Sequence, residues 1–249
     1  MIGLLLGLGI ASARAQPTGL AVPGFDKPLA EQTVALPATR DGTPVTLHCV
    51  TYPGFVVREI HEGDDIGMES VRLAPGDSGC APAAVAGERA LDDQGMQWFG
   101  AVGQYVLLMW PDGANDGTEF AVFDAKTAMK LHTDVMRNVG SELKSASLTA
   151  DRQGLELRFT RVVSGQCSLL ATGMTCWSQF ASDPMVPAVV GHRPPPLAAC
   201  SETYRRARLL TPQQRQDPSV VAFAVTLRIV PGRPVTVRDV GGTLCWPAE

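Results

Sequence analysis

Apolar and polar residues alternate in short runs along this chain, and Gly, Pro, Asn and Asp separate the runs. That pattern predicts strands and turns rather than long helices. In "VTLHCV", Val45, Leu47 and Cys49 alternate with Thr46 and His48, so a half-buried strand is expected to point Cys49 inward and His48 outward. "GFVVREI", "ESVRLAP", "LELRFTRVV" and "SVVAFAVTLRIV" follow the same rule. In the last of these, Val221, Phe223, Val225, Leu227 and Ile229 share one face, and Pro231-Gly232 closes the strand before a return beginning at Val235 to Val237. Tyr105 to Trp110 and Phe120 to Phe123 are apolar on both faces, as a central hairpin in a packed sheet would be.

Helix is expected near "CSETYRRARLL", capped by Ser201, and in one short turn begun by Thr211-Pro212-Gln213-Gln214. The fold class is therefore mainly β: antiparallel sheets in a sandwich, a barrel or a partial propeller, with one or two short helices near 199–216. Ser182 to Ala198 carries five prolines and is expected to cross as an extended stretch within a single β-rich domain spanning 16–249.

The first fifteen residues change the picture of where this domain works. A largely apolar run from Ile2 to Ala13 ends in Ala13-Arg14-Ala15, the small-x-small pattern of a signal-peptidase site, so residues 1–15 are expected to be a cleaved signal peptide and the protein periplasmic or secreted. The run is shorter than the roughly 20 apolar residues of a membrane-spanning helix, and no later stretch reaches that length, so no transmembrane segment is expected in the mature chain. Six cysteines, Cys49, Cys80, Cys167, Cys176, Cys200 and Cys245, form an even set without a Cys-x-x-Cys pair. In an exported chain this favours three disulfides over zinc or thiol redox chemistry. Fifteen connectivities are open, of which pairing between sequence neighbours is expected: Cys49 with Cys80, Cys167 with Cys176 across a hairpin, and Cys200 with Cys245.

Net charge is −4, which gives no broad reason to expect nucleic acid as a partner. The charge is uneven, however: residues 58–142 are net −9 and residues 143–249 net +5. Within one fold the two halves attract each other or leave a dipolar surface.

Three groups of residues bear on catalysis or metal binding. "LAPGDSGCAP" places Gly-Asp-Ser-Gly around Ser78 and "LHC" surrounds His48, resembling the nucleophile and histidine surrounds of chymotrypsin-like serine proteases. Only thirty residues separate His48 from Ser78, against roughly 140 in that family, and Cys80 stands where a second Gly normally follows. A tight turn at Pro75 to Gly79 leading to a disulfide explains the same residues, and no catalytic residue is assigned. The second group is "DGANDG": Asp112, Asp116 and Gly117 match calcium-loop positions one, five and six, but Ala114 and Phe123 fail positions three and twelve. A looser calcium site would use Asp112, Asn115, Asp116 and Glu119; a hairpin turn accounts for these residues equally. The third group crowds His61, Glu62, Asp64, Asp65 and Glu69 together, where Gly63 and Gly67 argue against the helix that would put His61 and Asp65 on one face. A solvated acidic loop is expected there, and neither metal nor cofactor is assigned.

Arg193, Arg205, Arg206 and Arg208 could surround an anionic ligand near the expected helix, and Trp98, Trp110, Trp177 and Trp246 are scattered as core residues would be. No Gly-rich phosphate loop, haem motif or Gly-x-Ser-x-Gly elbow is present.

"FAVFDAKTAMK" ends in a turn that resembles the Asp-x-x-Thr-Gly-Lys turn of a β-propeller blade over some 30 residues, with Ala128 and Met129 where Gly would be expected. No second copy occurs at a propeller's spacing. With its strand, loop and "FAVFDA" arrangement the whole chain also resembles a group of exported bacterial proteins of unknown function, which implies a location and no activity. The expectation is an exported β-rich domain that binds a protein or envelope component without catalysis. The alternative is a periplasmic hydrolase using Ser78 and His48, or a metal held by the acidic loops.

Overall fold

Proline fixes φ at Pro53, and the backbone at Gly54 takes φ +94°, so the chain reverses in two residues and pairs Tyr52 with Phe55. In the computed structural model, which describes residues 22–63, 70–91, 95–110, 117–137, 142–206 and 214–248, this turn joins β2 (Val45–Tyr52) to β3 (Phe55–Glu62). The two strands stay in register down to Val45 opposite Glu62. β1 (Ala30–Leu36), β4 (Ser70–Pro75) and the short β5 (Arg89–Ala90) extend them in chain order into a five-stranded antiparallel sheet, sheet A.

The remaining strands form sheet B: β6 (Gln97–Val102), β7 (Tyr105–Met109), β8 (Thr118–Asp124), β9 (Lys130–Met136), β10 (Leu143–Leu148), β11 (Leu155–Ser164), β12 (Ser219–Ile229) and β13 (Thr236–Pro247). Their order is β13-β12-β11-β9-β8-β7-β6, with β10 also paired to β11, and among the described residues the sheet does not close into a barrel. The expected central hairpin is β7–β8, with Tyr105 opposite Asp124 and Met109 opposite Phe120. It is central because both its faces are covered. Val106, Leu108, Ala121 and Phe123 pack on Val50, Val57, Val71 and Leu73 of sheet A, while Tyr105, Leu107, Phe120 and Val122 join a larger core on the opposite face. The five alternating residues of β12, Val221 to Ile229, lie in that larger core as their period of two predicts.

Residues 22–29 tie the layers together. The Ala146 N–H donates to Pro23 O (3.0 Å), the Asp26 N–H to Ala101 O (2.9 Å) and the Leu29 N–H to Thr51 O (2.8 Å), so this segment touches β10, β6 and β2 in turn.

Among the described residues four helices cover sheet B: α1 (Leu169–Thr172), α2 (Met174–Ser182), α3 (Ala188–Gly191) and α4 (Leu197–Arg206), and a 3₁₀ turn stands at Gln214–Gln216. Ser168 caps α1 by accepting from the Ala171 N–H (3.3 Å), and α2 buries Cys176, Trp177 and Phe180. The helix α4 stands where one was expected but begins four residues before Ser201, which lies inside it rather than capping it, whereas α1 to α3 have no counterpart in the expected elements. Residues 182–198 do not cross as an extended linker: Pro187 precedes α3, Pro195 and Pro196 precede α4, and Val186 and Val190 are buried between. Residues 207–213, with the Thr211-Pro212 start of the second expected turn, lie outside the described residues.

All six cysteines are paired between sequence neighbours. Cys49 on β2 holds the segment after β4 through Cys80, and Cys200 on α4 is bonded to Cys245 on β13. Cys167 and Cys176 pair across the turn that starts the helical layer rather than across a hairpin, because Ser168 caps a helix where a strand would have continued. Loops of these lengths restrict the unfolded chain enough to contribute about 2.5–4 kcal/mol each in a chain-entropy model, least for the short Cys167–Cys176 loop.

The turn after β8 has the hydrogen bonds that its propeller-like pattern suggests. Asp124 Oδ1 accepts from the N–H groups of Lys126 (2.9 Å) and Thr127 (3.0 Å) and from the Thr127 hydroxyl (3.2 Å). Ala128, in the place of the pattern's Gly, has φ +56°, a left-handed conformation that costs a residue with a Cβ about 1–2 kcal/mol. Ala128→Gly removes that strain and loses part of the gain to the greater freedom of Gly in the unfolded chain, so it is expected to stabilise the fold by about 0.5–1 kcal/mol. A urea transition with unchanged slope and a higher midpoint is the expected measurement; an equal or lower midpoint would contradict the strain.

Candidate functional site

Directly opposite residues of an antiparallel pair share a face, so the register of β2 and β3 sorts the chemistry of sheet A. Thr46, His48, Val50 and Tyr52 face sheet B together with His61, Glu59, Val57 and Phe55. Leu47, Cys49 and Thr51, with Ile60, Arg58 and Val56, face the other way. His48 and Cys49 do point in opposite directions, but the expected sides are exchanged. His48 is only 8% exposed and lies against Trp98, with ring centroids 5.9 Å apart, while Cys49 is covered by the segment that carries Cys80. Both faces of β2 are buried, so alternation alone could not say which one meets the main core.

This arrangement separates the protease-like pair. The Ser78 N–H closes a turn on Pro75 O (3.0 Å), and that turn leads to Cys80 on the outer face of sheet A, whereas His48 projects from the inner face. A histidine on the opposite side of a sheet cannot take the serine's proton.

A buried ionic cluster holds the outer cover in place. Arg58 is 2% exposed; its Nη2 donates to Ala83 O (3.1 Å) and its Nε lies 3.3 Å from Glu88 Oε2. Glu88 also pairs with Arg72 (3.3 Å) and accepts from the Val85 N–H (3.1 Å), so one carboxylate ties the segment after Cys80 to two strands.

On the inner face, Glu59 is 4% exposed and is met from three sides. Its Oε1 accepts from the backbone N–H of Trp98 (2.8 Å), while its Oε2 lies 3.2 Å from His61 Nε2 and 3.5 Å from His48 Nδ1. Burial acts to raise the carboxyl's pKa; hydrogen bonds from His48 and His61, the charge of His61 and the Trp98 N–H outweigh it and bring the pKa from 4.5 down to about 2. Glu59 had no place among the sequence candidates, and His61 had been weighed only with its acidic neighbours in sequence. The signal that finds the group is the two-residue turn at Pro53-Gly54, which counts back to place His48 opposite Glu59 and Thr46 opposite His61.

Asp64, Asp65 and Glu69, and likewise Asp112, Asn115 and Asp116, lie outside the described residues; Glu119 is exposed on β8. It borders a concavity of about 510 Å³ with Trp110, Val135, Asp183 and Met185. Beside it Asp134, 1% exposed, pairs with Arg161, which also donates to Met185 O (3.0 Å), and with His132 (3.0 Å). The arginines expected around an anion are otherwise engaged: Arg205 (2.6 Å) and Arg206 (2.8 Å) pair with Glu202, and Arg193 donates to the carbonyls of Val240 and Gly241. Arg208 lies outside the described residues. Of the tryptophans, Trp177 is core, whereas Trp110 is 38% exposed and Trp246 lies under Arg137.

A different basic surface emerges on sheet B. Where β12 and β13 shift register twice between Phe223 and Leu227, the sheet forms a groove of about 460 Å³ lined by Lys144, Arg158, Thr160, Thr226, Arg238 and Gly241. Lys144, Arg158 and Arg238 are exposed.

Together these features define a mainly antiparallel β protein closed by three disulfides, and none of its described helices is long and apolar enough to cross a membrane. No family model matches the sequence, and no curated relative does. Among solved structures, a neuraminidase-like protein of subtype N11 from a flat-faced bat isolate is similar at 10% identity and a TM-score of 0.28, covering 88% of this chain and 71% of that one. A superposition that loose transfers neither fold nor activity.

Glu59 links the site to stability. Its folded pKa lies below its unfolded value, so the unfolded chain takes up the proton first and the stabilisation, complete above about pH 4.5, is lost as pH falls towards 2. Glu59→Gln is expected to be less stable than wild type by about 3 kcal/mol at neutral pH and to lose less stability between pH 4.5 and 2. Urea unfolding of both proteins at pH 6, 4 and 2.5 checks this; a constant difference across that series would contradict it.

Proposed function

We propose that the protein is an exported envelope protein, cleaved after Ala15 into a single β-rich domain, that acts by binding an anionic envelope polymer in the groove between β11 and β13. The basic groove is the observation that carries this reading. Three disulfides support an oxidising compartment, periplasmic or extracellular. The core that sheet A shares with β7 and β8 supports one folding unit. The separation of Ser78 from His48 by sheet A favours binding over the hydrolase alternative.

The chemistry of the groove favours an extended polyanion. Arg158 on β11 and Arg238 on β13 flank the register shift, and Lys144 lies on β10 beside Glu142 (3.5 Å), whose carboxylate also accepts from the buried Thr160 hydroxyl (2.7 Å). Guanidinium groups suit carboxylate and phosphate oxygens, and exposed charges attract a polymer through many weak, salt-sensitive contacts.

Affinity electrophoresis in gels containing polygalacturonate, with neutral dextran as comparison, tests the proposal. Wild-type protein is expected to be retarded by the polyanion alone and released by salt. Arg158→Glu/Arg238→Glu, two exposed changes, is expected to weaken retardation roughly tenfold or more, equivalent to about 1.4 kcal/mol. Equal retardation by dextran, or an unaffected double variant, would overturn the reading.

A further inference from the structure

His48, Glu59 and His61 offer three metal-ligating atoms from adjacent strands, all within 4.8 Å of one another on the face of sheet A that meets sheet B. We propose that these three side chains form a binding site for a divalent transition-metal ion of the zinc class. Two imidazoles and one carboxylate favour such an ion over calcium or magnesium, which prefer all-oxygen surroundings.

The two distances to the carboxylate fit the ion. With bonds of about 2.0–2.1 Å, two ligand atoms of a tetrahedral centre stand about 3.3–3.4 Å apart. Glu59 Oε2 is 3.2 Å from His61 Nε2 and 3.5 Å from His48 Nδ1, while the two histidines offer their ligand atoms within 4.8 Å of each other, so binding an ion draws the imidazoles together by up to about 1.4 Å. The carboxylate is already aimed. Its other oxygen is fixed by the Trp98 N–H at 2.8 Å, which leaves Oε2 turned towards both histidines.

His48 supplies the second, independent observation. Its side chain is more than nine-tenths buried, and its Nε2 has no hydrogen-bond partner. Glu31 on β1 presents its Oε2 3.9 Å from this nitrogen. Buried polar atoms ordinarily have partners, so a hydrogen-bonded cluster alone leaves this nitrogen unexplained. Coordination through Nδ1 accounts for it. The metal fixes the tautomer with the proton on Nε2, and a small closure of Glu31 gives that N–H the carboxylate partner that metal-bound histidines usually have. His61, with 31% of its side chain exposed, provides the route by which an ion enters and the side on which a water or external ligand completes the coordination. All six cysteines are in disulfides, so zinc bound by this chain is not held by thiolates.

The test is isothermal titration of chelator-treated full-length mature protein with zinc chloride, with calcium chloride as comparison and thermal melting as a second readout. One zinc ion per chain is expected, with a raised melting temperature, and calcium is expected to produce neither effect. His61→Ala, at a partly exposed position, is expected to fold and to lose the zinc-dependent rise. Glu31→Gln is expected to retain one site with affinity lowered about 10–100-fold. Cobalt(II) bound by wild type is expected to show the intense visible absorption of a tetrahedral centre, absent in His61→Ala. The proposal is overturned if wild type takes up no zinc, or if folded His61→Ala binds zinc as wild type does, which would place the ion elsewhere, such as at His132 and Asp134.

Discussion

The turn at Pro53-Gly54 pairs Tyr52 with Phe55, and from that pairing every residue of β2 and β3 is assigned to one face of sheet A. A slip of one residue would exchange the faces. Cys49 and Arg58 would then enter the core shared with β7 and β8, and His48 and Glu59 would lie under the outer cover. Neither side could accept this: the inner layer supplies the Trp98 N–H that Glu59 accepts, and the outer segment supplies Cys80 and Glu88. The register is thus enforced from both sides of the sheet by partners that cannot be interchanged.

Charge is buried on both faces, for different reasons. On the outside, Glu88 sits between Arg58 and Arg72, and removing Glu88 would leave Arg58 a buried ion without compensation at a cost of about 3–5 kcal/mol. The cluster and the Cys49–Cys80 bond hold the same segment, one through charge and the other through covalent closure. On the inside, the carboxylate of Glu59 is kept ionised by two imidazoles and a backbone donor. Buried nitrogens without a hydrogen-bond partner occur on both faces: His48 Nε2 on the inside, and Arg58 Nη1 and Arg72 Nε on the outside.

The parts of this fold most legible in the sequence are those where alternation or a two-sided apolar run is strong. The inward residues of β12 and the doubly buried β7–β8 hairpin follow directly from residue order. Helices α1 and α3 span four residues each, too short to complete two turns of an amphipathic period, and the prolines around them resemble a linker. The neighbour pairing of Cys167 with Cys176 was therefore readable while the structure it closes was not. The face of His48 is illegible for another reason: alternation assigns Val45, Leu47 and Cys49 to an interior, but a strand covered on both sides has two interiors. Glu59 was hidden because its partners lie across a hairpin, eleven residues from His48 in sequence yet directly opposite it in space.

The uneven charge of the chain also changes meaning once folded. Several acids of residues 58–142 do not project a negative surface: Glu59 is turned towards two histidines, Glu88 lies between two arginines, and Asp134 is paired with Arg161 from the basic half. Among residues 143–249, Arg205 and Arg206 are likewise paired with Glu202, and Arg193 is spent on the carbonyls of β13. Arg158 and Arg238 instead stand exposed where the register of β12 and β13 shifts. The basic surface is therefore smaller than composition suggests, but it coincides with a concavity in the sheet. A groove whose shape comes from irregular strand pairing and whose charge comes from arginines outside the internal pairs has the attributes of a binding surface, because neither feature is needed to hold the core together.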